Sequence, residues 1–119
     1  MAGSFTTHHT KSFLATTDLA AFVRVKLGAA GYVSIAGATE DCIGVTVAPV
    51  LAGSPVGVRL KNSSGSALFT AASAVAANAP VYGVAAGQVD DVPAGNVLVG
   101  YALDAAVGAG SVIEVLLAR

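Results

Sequence analysis

The sequence predicts an all-β protein, a small β-barrel or β-sandwich built from two similar β-units with a mostly extended N-terminal arm. Three observations predict it. Short runs alternate apolar and polar residues with the period of a strand, turn signals interrupt them at close intervals, and one half of the chain repeats the other at a spacing of about 56 residues. Many short strands with regular turns are the signature of closed or layered β architectures. The expected division is residues 1–17 as the arm and 18–119 as a single β domain, with the repeat over about 24–60 and 80–117.

Along the chain, MAGSFTTHHTK opens a polar segment with no basic region followed by an apolar one, so no secretory signal is expected. The first strand is VRVKL at 23–27, where Val23, Val25 and Leu27 alternate with Arg24 and Lys26. Such alternation buries one face and leaves the other wet or covered by a neighbour. Turn signals follow at 28–31 and 36–39, and again at 53–55 in Gly53-Ser54-Pro55. The next strand, VGVRLK at 56–61, sets Val56, Val58 and Leu60 against Gly57, Arg59 and Lys61. After a turn at 62–66, the alanine-rich 67–79 segment is read as a strand over 67–71 and one helical turn near 73–76, because Leu68-Phe69-Thr70 favours a strand. Further turns fall at Gly95-Asn96 and 108–111 before the closing strand VIEVLL.

The repeat is read directly. AAGYVSIAGATEDCIG at 29–44 lies over AAGQVDDVPAGNVLVG at 85–100 without a gap, and 43–60 aligns with 99–117 through one inserted residue. Two copies are too few for a solenoid, so two similar units packed together is the simpler architecture. Gly44 and Gly100 sit inside apolar strands, where glycine needs a bulge, a sharp bend or a close backbone approach to explain it. Gly31 and Gly87 suit hairpin positions with positive φ.

Composition narrows the function. The chain has 55% hydrophobic residues but only 6 basic and 7 acidic side chains, and a mean hydropathy of +0.75. Few charges on a small domain indicate surface hidden in an assembly. No continuous apolar run is long enough for a membrane helix, since the longest uncharged stretch is broken by Asn62, Ser64, Gly65, Asn78 and Pro80. No basic patch tracks a nucleic-acid backbone, and no phosphate-cradling loop is present. The single cysteine, Cys42, excludes an internal disulfide and reads as a small buried hydrophobe.

Catalytic and metal chemistry lack their residues. Both histidines, His8 and His9, are adjacent in the arm, where neighbouring side chains diverge. The pairs Glu40-Asp41 and Asp90-Asp91 fall at turns and read as solvated carboxylates without the alternating ligands of a calcium loop. No catalytic residue, cofactor or metal is expected.

The order RVKL, GYVSIAG, CIGVTVAPVLAGSPVGVRLKN, FTAASAVAANAPVYGVAAGQVDD and NVLVGYALDAAVGAGSVIEVLL resembles the small capsid decoration, or cement, proteins of tailed bacteriophages, over roughly 23–117. The resemblance implies a non-enzymatic structural virion protein on the outer capsid surface, made in the bacterial host cytoplasm. It also implies a homotrimer that bridges capsomers, with the major capsid protein and itself as partners and neither nucleic acid nor membrane. Within the arm, Phe5 and Phe13 are the expected apolar anchors and Lys11 the charge for a capsid or neighbour contact. The alternative reading is a β-barrel domain recognising carbohydrate or a cell surface; the absence of Trp, with 3 Tyr and 4 Phe, argues against it.

Overall fold

The computed structural model describes residues 10–61, 65–93 and 96–117, and within them the chain is built from ten strands. The first five are β1 (Thr10–Ala15), β2 (Arg24–Leu27), β3 (Tyr32–Ile35), β4 (Gly44–Thr46) and β5 (Pro55–Leu60). They close a barrel in the order β1-β3-β2-β4-β5, with β1 antiparallel to β5 and parallel to β3. The second five are β6 (Ser66–Thr70), β7 (Pro80–Gly83), β8 (Val89–Asp90), β9 (Leu98–Ala102) and β10 (Val112–Leu117). They form a sheet in the order β6-β10-β9-β7-β8.

The second sheet is the first barrel written again. Advancing each strand of the first unit by 56 or 57 residues converts β1 to β5 into β6 to β10, and the sheet orders then coincide. The parallel β1–β3 junction that closes the barrel, Ala15 opposite Val33, survives in the second unit as a single bridge, Ala71 opposite Val89. A second bridge, Leu19 opposite Val50, recurs as Val75 opposite Ala106. The offset changes from 56 to 57 after these residues, because the loop after Ala106 holds one residue more than the loop after Val50.

Each unit buries its own core at matching positions. Ala15, Leu19, Val25, Val33, Val56 and Val58 cluster in the first, and Ala71, Val75, Val81, Val89, Ile113 and Val115 in the second. These are the inward positions of the alternating strands, so the period of two sets the core in both copies. The repeat also reaches back into the segment expected as an arm. Residues 10–15 are extended as anticipated, but they are the barrel strand β1, hydrogen-bonded on both edges, and Phe13 and Phe69 occupy the same place in the two units.

One local expectation is corrected and another is resolved. The helical turn near 73–76 does not form; that stretch is irregular backbone between the bridges at Ala71 and Val75, which supply the hydrogen bonds a helix would have. The wet or covered face of 23–27 proves covered at Arg24, which is 0% exposed, while Leu27 on the opposite face is 56% exposed. Among the candidate roles of Gly44 and Gly100, close approach is the one observed. A Cβ there would lie 2.1 Å and 2.0 Å from the carbonyl oxygens of Arg59 and Leu116.

Candidate functional site

Among the described residues no three metal-ligating side chains cluster, and the most densely bonded polar group lies where the two units meet. Arg24 is the centre of that junction. Its Nε donates to the Gln88 carbonyl at 3.3 Å and Nη1 to that of Glu40 at 3.2 Å, while Nη2 reaches Ala36, Gly37 and Val84 at 3.2, 2.9 and 3.0 Å. The acceptors come from the β3–β4 loop of the first unit and the β7–β8 hairpin of the second, so one side chain ties both units together. Burial pushes its pKa below the ordinary value, with opposing contributions from Cys42, Asp41 and Glu40. A guanidinium remains charged under such conditions and offers its donors in a rigid fork, which suits a ring of carbonyls.

The hairpin is shaped to receive it. A Cβ at Gly83 would fall 2.4 Å from Arg24 Cζ. Gly87 has φ +71° and presses on the Arg24 backbone, where a Cβ would lie 2.8 Å from its carbonyl oxygen. Beside this clasp, Val45 projects from β4 into the core of the second unit, and the Thr70 N–H donates to the Phe22 carbonyl at 2.9 Å. Arg59 Nε donates to the Ser66 carbonyl at 2.7 Å across the same junction.

The loop carboxylates have structural work. Glu40 accepts from Gly37 N at 2.8 Å and pairs with Lys26; the lysine hydrogen bond and then the backbone N–H hold its pKa below the usual carboxylate range. Asp41 is lowered chiefly by Lys61 and also accepts from Cys42 N at 2.9 Å. Asp90 accepts from Val92 N at 3.0 Å, closing a turn. Cys42 is buried, and desolvation raises its thiol pKa, which suits a packing residue.

Phe5, like His8 and His9, lies outside the described residues. Lys11 and Phe13 stand two apart on β1, opposite Val58 and Val56 of β5. Phe13 packs half-buried against the first core and lines a 490 Å³ groove with Lys26, Cys42, Ile43 and Lys61. The outer face of the second sheet, where Leu68, Tyr101, Val112 and Leu116 are all exposed, was not among the expected contacts. Its signal is present in the strand alternation, since Val112 and Leu116 are apolar on the face opposite Ile113 and Val115.

Comparison with known proteins gives a family and a fold. A family model described as phage cement protein matches residues 6–117. Among solved structures, the N-terminal base of the head fiber protein gp8.5 of bacteriophage phi29 is similar, with a TM-score of 0.77 and 17% identity over 92% of this chain and 93% of that one. No curated protein sequence matches the chain.

Proposed function

The chain belongs to the phage cement protein family, and on that premise we propose that this capsid-associated structural protein binds the outer surface of the mature shell as a trimer and bridges neighbouring capsomers. Its partners are the major capsid protein and two further copies of itself, and it is made in the host cytoplasm before joining the virion. The observation that carries the reading is a family match that runs through both units, from residue 6 to 117. The composition supports it. Only 13 charged side chains cover a chain of 119 residues, and large apolar side chains such as Tyr101, Leu116 and Leu27 are exposed on strands. Surfaces of that kind are covered by partners in stable assemblies.

Bridging follows from linkage. A protein that binds the assembled shell and not its separated capsomers lowers the free energy of the assembled state, by about 2.7 kcal/mol per site at a hundredfold excess over Kd. Three identical contacts on one trimer multiply that effect through effective concentration. The N-terminal segment, with Phe5 and Lys11 as contact residues and Phe13 securing β1 to the barrel, makes the capsid or neighbour contact. The test is cosedimentation of the purified chain with shells stripped of it, followed by thermal melting of those shells. Saturable binding with a raised melting temperature is the expected result. Shells that neither retain the protein nor gain stability would reject the proposal.

A further inference from the structure

The two units of the chain meet head to tail: the first offers Arg24, Arg59 and the β3–β4 loop, and the second its β7–β8 hairpin and β6. In the first unit β1 lies between β5 and β3, and the Leu14 N–H donates to the Gly31 carbonyl at 2.8 Å. Its equivalent in the second unit, Thr70, turns from its own hairpin and donates to the Phe22 carbonyl of the first. The parallel closure then shrinks to the Ala71–Val89 bridge, and β6 stands at the edge of its sheet.

Alternation decides where that edge points. In an antiparallel ladder every second residue bonds the partner strand and those between turn away. Gly65 accepts from the Leu117 N–H at 3.2 Å and Ala71 donates to the Ser111 carbonyl at 2.7 Å, so Ala67 and Phe69 also face β10. Ser66, Leu68 and Thr70 present their backbone groups on the opposite side. The Ser66 carbonyl there receives Arg59 Nε, and the Thr70 N–H reaches Phe22. Between them, Leu68 borders a 370 Å³ groove walled by Phe22, Val45, Val47, Arg59 and Glu114. Leu68 is 42% and Val47 43% exposed, so both sides of the groove are apolar and open. An edge strand in such a groove is a template for one more strand.

Charge narrows the occupant. Residues 65–117 carry Asp90, Asp91, Asp104 and Glu114 and no lysine or arginine. Glu114 stands opposite Leu68, with its carboxylate bonded by the Ser66 hydroxyl and its N–H donating to Asp104 at 3.2 Å. A strand laid on β6 sends alternate side chains inward and outward. Those directed inward meet Phe22, Val45 and Val47 and are apolar. One directed outward lies beside Leu68 and Glu114, where a positive charge is favoured.

We infer that an extended segment of the major capsid protein, alternating apolar with basic side chains, adds to β6 in this groove. The inference rests on the capsid-binding reading and gives it a second contact besides the N-terminal segment. Amide hydrogen exchange of the full chain, free and bound to shells stripped of it, tests both. Binding should slow exchange at Ser66 and Leu68, read in a peptide spanning 66–70. Glu114→Gln should weaken shell binding about fivefold at low salt and by less at high salt. Leu68→Pro removes an N–H outside the β10 ladder and should weaken binding by more than about tenfold. Shells that hold the chain while exchange at 66–70 is unchanged would overturn the β6 contact and leave capsid binding standing. Shells that do not retain the chain would overturn both. Unaltered affinity of Glu114→Gln would overturn the basic side chain. Exchange at 66–70 that is already slow in the free protein, and released by deleting residues 2–9, would put the chain's own N-terminal segment in the groove and overturn the capsid strand.

Discussion

Two glycines and two ion pairs show how much single residues decide here. Gly44 faces Leu60, and Gly100 faces Leu117. In both places the neighbouring strand's carbonyl oxygen occupies the space where a Cβ would stand. Because the clash is with backbone, no rotamer relieves it. Gly100→Ala should therefore cost about 3 kcal/mol as an overpacked site and lower Tm by about 10 °C, read by thermal unfolding; Gly44→Ala should behave alike. The pairs Lys26–Glu40 and Lys61–Asp41 set a pH dependence. Both carboxylates have folded pKa values below their ordinary ones. Their stabilising effect is thus complete above the unfolded values of about 4 and disappears as pH falls through the lower folded values. Tm should hold between pH 7 and 5 and decline from pH 4 to 2. Replacing Lys26 and Lys61 by Met should flatten that decline.

At the scale of elements, the strand that matters most is β1. It supplies one wall of the first barrel by pairing with β5 along Thr10 to Leu14 and with β3 at Leu14 and Ala15. Deletion of residues 2–9 leaves that ladder intact, whereas deletion of 2–13 removes most of it and opens the barrel. The short deletion should unfold with Tm within a few degrees of the full chain. The long one should lose cooperative unfolding, as expected when an interior strand of a small barrel is lost and two edges are exposed. Capsid occupancy measured with the short deletion then reports on Phe5 without disturbing the fold, while Lys11→Ala reports on the β1 surface.

Over the whole molecule, the two units share enough to unfold together. Val45 of the first lies in the core of the second, and Arg24 bonds the loops of both. Calorimetry should show one transition with equal calorimetric and van't Hoff enthalpies. Arg24→Met removes the donors from five carbonyls, that of Ala36 buried and the other four part-buried, and should cost about 3 kcal/mol. Because the lost bonds lie at the junction, it should also broaden or split the transition. A sharp single transition with unchanged Tm would show that the units are held by apolar packing alone.

Most of the strands, the turns and the existence of two units could be read from the chain alone, although β1 at Thr10–Ala15 was read as part of an arm. Periodicity and turn chemistry are local, and both were legible in runs such as 56–61 and 112–117. The full extent of the repeat was also written there. Phe13, Ala15 and Leu19 match Phe69, Ala71 and Val75 at the spacing of 56, but only inward positions match and the polar ones between them differ. The helical turn expected at 73–76 followed alanine propensity, which the long-range bridges override. Tertiary structure alone decided the burial of Arg24 and the openness of Leu27 and Tyr101. The acceptors of Arg24 are backbone carbonyls, which carry no residue-type signal, and they arrive from segments 12 to 64 residues away. Whether an apolar strand face is core or contact depends on which unit stands against it, and a head-to-tail junction gives identical positions in the two halves opposite fates.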